Sequence, residues 1–230
     1  MAYLHFNTMA LETGVTMAGT DWSAYRAHQV VWQFFGDHAD RDRDFLYRFD
    51  LVRGEPFFSA LSVRPPRNMA GIWDLRSTPF DLPELEAGLS FPFALRAHPT
   101  RSRSLGSAAR GQRFDLIRTH DPQDATSLEE TCAMWLLDQA NRHGFRCDPE
   151  SLRVAACRLA TFRRKGRWLT LGMVDFAGAL TVTDPAAFTT AMVNGIGRGK
   201  SFGCGLLLVG PYATLAPSES GALVSIPAPC

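Results

Sequence analysis

The sequence predicts an α+β protein made of two tandem copies of a split βαβ unit. Three observations carry that expectation. Strand-like alternation and helix-like periodicity follow one another in a similar order in both halves. A patternless stretch rich in Ser, Arg, Gly and Ala separates the halves. Helix starts carry capping signals where the periodicity changes. The chain has 230 residues, 46% hydrophobic, which is enough for a core in each half.

In the first half, residues 2–9 alternate as a strand. Asp21 is positioned to N-cap a helix carrying Trp22, Tyr25, Val31, Trp32 and Phe35 at helical spacing. Residues 45–51 and 56–63 read as strands joined by Arg53-Gly54-Glu55. Residues 64–85, with Pro, Asn, Gly and Asp, read as mostly irregular. Residues 91–97 then supply a closing strand, ended by His98-Pro99.

In the second half, Ser127-Leu128-Glu129-Glu130 is a capping box for a helix that runs to Gly144. Residues 152–163 and 168–183 read as strands around the turn Arg164-Lys165-Gly166-Arg167. Asp184-Pro185 opens a second helix that stops at Asn194-Gly195, and 206–209 is the last strand. The second order matches the split βαβ except for an unassigned first strand. Both halves therefore read as ferredoxin-like, or RRM-like, domains: residues 1–99 and 113–212, a linker at 100–112, and a mobile tail at 213–230.

Net charge is +1, so a nucleic-acid partner requires local basic character. Only Lys165 and Lys200 are lysine among 24 Lys+Arg. The arginine bias suits phosphate contacts and base stacking, and it is equally what a GC-rich genome produces. Five cysteines with no Cys-x-x-Cys pair indicate neither a zinc site nor a complete disulfide framework. No signal segment or membrane span is read, and a cytoplasmic setting is expected.

The run Gly195-Ile-Gly-Arg-Gly-Lys-Ser-Phe-Gly-Cys-Gly205 is the densest motif. A Walker loop would need Gly where Asn194 stands, and it would follow a strand and precede a helix, the reverse of the order here. A dinucleotide fingerprint would need Gly at Phe202. What remains is a basic glycine loop suited to a polyphosphate backbone, or a flexible connection between packed elements. Its expected RNA-binding residues are Gly197, Arg198, Gly199 and Ser201.

Tyr25 and His28 lie three apart on one helix, so they share a face. Such a pair could converge on a substrate, with the histidine moving a proton near neutral pH; the same spacing also suits core packing. No histidine pair has metal-ligand spacing, and no cofactor is indicated. Arg163, Arg164, Lys165 and Arg167 form the densest basic cluster. Arg158 on the strand leading to it joins this set, and Arg96, Arg101 and Arg103 extend a phosphate path beside the linker.

Three features are similar to one known family: Tyr25-x-x-His28, Arg96-Ala97-x-Pro99, and Gly195-Ile-Gly197 through Gly203-x-Gly205-Leu206. Together they make the chain resemble the CasE family, the precursor-RNA endoribonucleases of type I-E CRISPR systems. The chain departs from the family pattern at His98, where Asn is usual, and at Arg110 and Arg113, which stand for lysines. The resemblance implies cleavage at the base of a CRISPR repeat stem-loop without metal, with His28 as general acid or base. It further implies Tyr25 and Lys200 as assisting catalytic residues, and the basic hairpin gripping the stem. The product would be kept for a surveillance complex with other subunits, with neither membrane nor direct DNA contact. A non-catalytic RNA-binding scaffold subunit of a CRISPR effector complex is the alternative.

Overall fold

The computed structural model describes residues 4–36, 43–68, 70–80, 84–103, 112–164 and 166–216. Its first unit comprises β1 (Leu4–Leu11), α1 (Ala24–Phe35), β2 (Phe45–Val52), β3 (Glu55–Ser62) and β4 (Trp73–Phe80). The strands form one antiparallel sheet in the order β2-β3-β1-β4. That is the ferredoxin-like order with a loop in place of the second helix. Ser23, rather than Asp21, caps α1: its hydroxyl accepts from the Arg26 backbone N–H at 3.2 Å. Capping there places Tyr25 in the first turn of the helix.

The second unit contains β5 (Ser90–Ala97), β6 (Thr100–Arg103), β7 (Gln112–Asp115), α2 (Leu116–Thr119), α3 (Leu128–Arg142), β8 (Phe145–Cys147), β9 (Arg153–Arg164), β10 (Arg167–Val182), α4 (Pro185–Asn194) and β11 (Leu207–Val209). Its sheet runs β11-β5-β10-β8, with β9 also paired to β10. The capping box at Ser127/Glu130 and the Asp184-Pro185 start both form as the sequence predicts.

Four expectations change here. The strand at 90–97 belongs to the second sheet, between β10 and β11. It is the first strand that the second half lacked, so the boundary falls before residue 90 and not after 99. The first sheet closes instead with β4, inside the stretch read as irregular. β4 pairs on one side only and has only Trp73 fully buried, so it shows no alternation, and its Pro79 is tolerated at an edge. The expected linker is also partly ordered: β6 and β7 pair as a ribbon, while 104–111 lie outside the described residues. Of the expected tail, residues 213–215 complete a 3-10 turn with Leu215 buried, and 217–230 lie outside the described residues.

Each sheet has one face covered by helix, the first by α1 and the second by α3 and α4. Met9, Phe45, Tyr47, Phe58 and Ala60 pack on α1. Phe93, Leu95, Val174 and Phe176 pack with Trp135 and Leu136 of α3 and Phe188 of α4. The opposite faces meet each other, joining Leu4, Phe6, Leu46 and Leu61 to Ala94, Leu206, Leu208 and Leu215. Strand alternation projects charged side chains into this same interface. Arg96 donates to Asp50 at 2.7 Å and to Asp175 at 2.7 and 3.0 Å, and it also reaches the Phe49 carbonyl. Arg48 pairs with Asp50 at 2.7 Å and Arg158 with Asp175 at 3.1 Å.

Burial works against both charged forms in this cluster. The paired charges overcome it, holding Arg96 above and Asp175 well below their ordinary values. Removing one partner leaves the others buried without compensation. Arg96→Met should therefore lower unfolding free energy by about 3–5 kcal/mol, read from denaturant midpoints. The Asp175 contribution is complete above its ordinary pKa of 3.8 and fades as pH falls through and below that value. Asp175→Asn should flatten that acid-side loss of stability.

Candidate RNA-processing site

Three separate elements converge beside α1. Tyr25 and His28 project from the helix with ring centroids 6.1 Å apart. Phe162 of β9 stacks on Tyr25 at 6.2 Å with planes 7° apart. Phe202, from the short turn Lys200–Phe202 in the glycine loop, lies 5.7 Å from the His28 ring and 4.7 Å from Phe162. Trp32, one helical turn on, meets His28 edge-on at 6.1 Å. The histidine is thus held in an aromatic collar, with Tyr25 and His28 both half-buried. Helical spacing alone reveals the Tyr–His pair; Phe162 and Phe202 are remote in sequence and carry no local signal.

The glycine loop reaches α1 by crossing edge strand β2. The Tyr47 hydroxyl donates to the Ser201 carbonyl at 2.9 Å, and Arg43 donates to the Ser201 hydroxyl at 3.3 Å. The glycines make this crossing possible. A Cβ on Gly195 would sit 2.8 Å from the Gly205 carbonyl, and one on Gly205 2.9 Å from the Ile196 carbonyl, both at positive φ. Gly203 abuts Tyr47, Gly197 abuts Trp135, and Gly199 abuts His98. The loop is thus a connection between packed elements, as the second sequence reading has it, but a tightly packed one and not a flexible one.

Lys200 folds over the loop, and its ammonium donates to the Asn194 carbonyl. Burial, then the Arg43 guanidinium, lowers its pKa. His143, at the end of α3, is lowered by burial and then by Lys200 and Arg142. Positive charge is therefore concentrated around this turn, and Arg43 is a cation that sequence reading missed because it sits in a mixed-charge run. Among the described residues no group of three His, Cys, Asp or Glu is arranged to hold a metal ion, and no helix is long and apolar enough to cross a membrane.

The other expected RNA contacts divide. Arg163 and Arg167 are exposed near the tip of the β9–β10 hairpin. Arg164 closes the β9–β10 ladder opposite Arg167, and Lys165 lies outside the described residues. Arg198 is exposed and bridges to His98. Arg158 lines a cleft of about 930 Å³ between the two sheets and is tied to Asp175. Arg101 is exposed on the β6–β7 ribbon, which also carries Arg103. Arg96 does not join a surface path: it is buried, and Asp50 and Asp175 occupy its guanidinium.

The family model described as CRISPR associated protein matches residues 4–211. The chain belongs to the CasE/Cse3 family of CRISPR-associated proteins. It is similar to the CRISPR system Cascade subunit CasE of Escherichia coli (strain K12), at 26% identity over 201 residues, covering 83% of this chain and 94% of that protein. It is also similar to a structure of CRISPR endoribonuclease Cse3 bound to a 19 nt RNA. That match has a TM-score of 0.70 and 26% identity, and covers 91% of this chain and 100% of the other. Cas6e from E. coli K-12 shares the fold at a TM-score of 0.61 and 22% identity, over 90% and 98% of the two chains.

If the glycines serve packing, Gly205→Ala should destabilise the free protein by about 1–3 kcal/mol, seen as a lower melting temperature without RNA. An unchanged melting temperature with weakened RNA binding would instead identify the loop as an open cradle.

Proposed function

We propose that this protein is a metal-independent endoribonuclease that cuts CRISPR precursor RNA at the base of the repeat stem-loop. The observation that carries the reading is the junction at α1. One aromatic cluster links the Tyr25–His28 pair to the basic hairpin through Phe162 and to the glycine loop through Phe202. RNA gripped by the hairpin is thereby delivered beside the histidine. The CasE and Cse3 relatives, named as a Cascade subunit and an RNA-bound endoribonuclease, support the same reading.

The chemistry asks little of the protein, because RNA carries its own nucleophile. The 2′-hydroxyl attacks the adjacent phosphorus, the P–O5′ bond breaks, and a 2′,3′-cyclic phosphate and a 5′-hydroxyl result. Two protons move: one leaves the 2′-oxygen and one reaches the departing 5′-oxygen. His28 handles one of these transfers, and the Tyr25 hydroxyl orients it or the 2′-hydroxyl. Lys200, with Arg43 alongside, supplies positive charge for the phosphorane. Alignment of the 2′-oxygen in line with the leaving group provides much of the remaining acceleration.

Arg163, Arg164, Lys165 and Arg167 bind the stem through shape and phosphates, since the deep, narrow major groove of A-form RNA hides its base edges. Arg158, Arg101, Arg103 and Arg198 extend that contact, with the loop segment Gly197, Gly199 and Ser201 shaping the backbone path. The product stem keeps these contacts, so the enzyme turns over once and retains its product. It then joins other subunits of a type I-E surveillance complex.

Cleavage of repeat RNA in EDTA, with binding followed in parallel, tests this directly. His28→Ala should bind normally and lose cleavage by a factor of about 10²–10⁴, while the wild type forms a cyclic phosphate once per molecule. Binding without cleavage by both proteins would make the chain a scaffold subunit. Equal cleavage by both would remove His28 from the chemistry.

A further inference from the structure

The hairpin presents two different faces. Antiparallel register places Phe162 opposite Leu169 and Arg163 opposite Trp168, and directly opposed residues point the same way. The Phe162 face turns inward to Tyr25. The other face carries Leu159, Thr161 and Arg163 along β9 and Trp168 and Thr170 along β10. At its root, Gly172 is covered by Asp115 and Ile117 at the start of α2. Beyond that point the face is open: Trp168 is 72% exposed and Leu159 53%.

A solvated turn has no use for a tryptophan there, and nothing in the cation-grip account employs it. Its surroundings specify the partner. Arg163 stands directly across the ladder, Arg167 is adjacent and exposed, and no Asp or Glu occurs between Glu150 and Asp175. An exposed aromatic plane among cations, on a ribbon that carries no carboxylate of its own beyond the Asp115 contact at its root, is the chemistry that recognises a nucleobase attached to phosphates.

A continuous A-form stem cannot satisfy that plane. Its bases are stacked on one another, and the major groove denies side chains access to them. We infer that Trp168, with Arg163 beside it, forms a stacking platform for an unpaired RNA base, outside the paired stem. This rests on the RNA-processing reading above. It adds a contact that senses where pairing ends, whereas the arginines alone register only charge and shape.

The test compares wild type, Trp168→Ala, Trp168→Phe and Arg163→Ala on two probes. One is the repeat hairpin with its unpaired nucleotides; the other is a long continuous RNA duplex whose ends are a small minority of sites. Trp168→Ala should weaken hairpin binding about 5- to 150-fold with an unchanged salt slope, and leave duplex binding intact. Trp168→Phe should retain most of the affinity and lose the RNA-induced quenching of tryptophan fluorescence. Arg163→Ala should lower the salt slope on both probes.

Equal binding of the hairpin by wild type and Trp168→Ala would overturn the inference, including when the variant instead fails to assemble with partner proteins. Equal weakening on both probes would overturn it as well, by making Trp168 a support for the hairpin. If the wild type binds neither probe, the RNA-processing reading itself falls.

Discussion

Two sheets that each have one face covered by helix are left with a second face to bury, and here they bury it against each other. Inside that contact sit three arginines and two aspartates from β2, β5, β9 and β10. Apolar packing of Leu4, Phe6, Leu206 and Leu208 supplies attraction without direction. The Arg96 fork supplies direction, because bidentate bonds to Asp175 and a third to Asp50 are met at one relative placement of the sheets. Everything at α1 depends on that placement. Tyr25 and His28 belong to the first unit, whereas Phe162 and Phe202 belong to the second.

The glycine loop shows how the second unit reaches across. A chain leaving α4 must pass the edge strand β2 at close range before returning as β11. Side chains at Gly195 and Gly205 would collide with backbone on the way. Glycine is required because the protein's own backbone approaches itself, and close approach to a ligand is not needed to explain those positions. The basic residues between them are a separate matter. Lys200 is held back on Asn194 with Arg43 bound to the neighbouring Ser201, a concentration of positive charge that burial makes costly and an anion would relieve.

The collar around His28 joins both units. Aromatic contacts from Tyr25, Trp32 and Phe202 fix the ring by shape and dispersion. The basic hairpin attaches to this collar at its inward face and keeps its outward face open, so one β-ribbon contributes both to the aromatic cluster and to an exposed basic surface.

Local chemistry in the sequence determined the elements whose causes are local. Ser127 and Glu130, Asp184 and Pro185, and the turn at 164–167 mark their helices and hairpin because capping and tight turns involve residues a few positions apart. The Tyr25–His28 pair was legible for the same reason, being three residues apart on one helix. Pairing partners were not legible. The strand 90–97 has the same alternation whichever sheet it joins, so only tertiary structure assigned it to β10 and β11 and moved the boundary. β4 was missed because an exposed edge strand buries little and so imprints little periodicity. Arg96 reads as one more surface cation until Asp50 and Asp175 are brought to it from 46 and 79 residues away. The sequence determined which residues are candidates for chemistry; the packing of two sheets decided which of them gather beside α1 and which hold the molecule together.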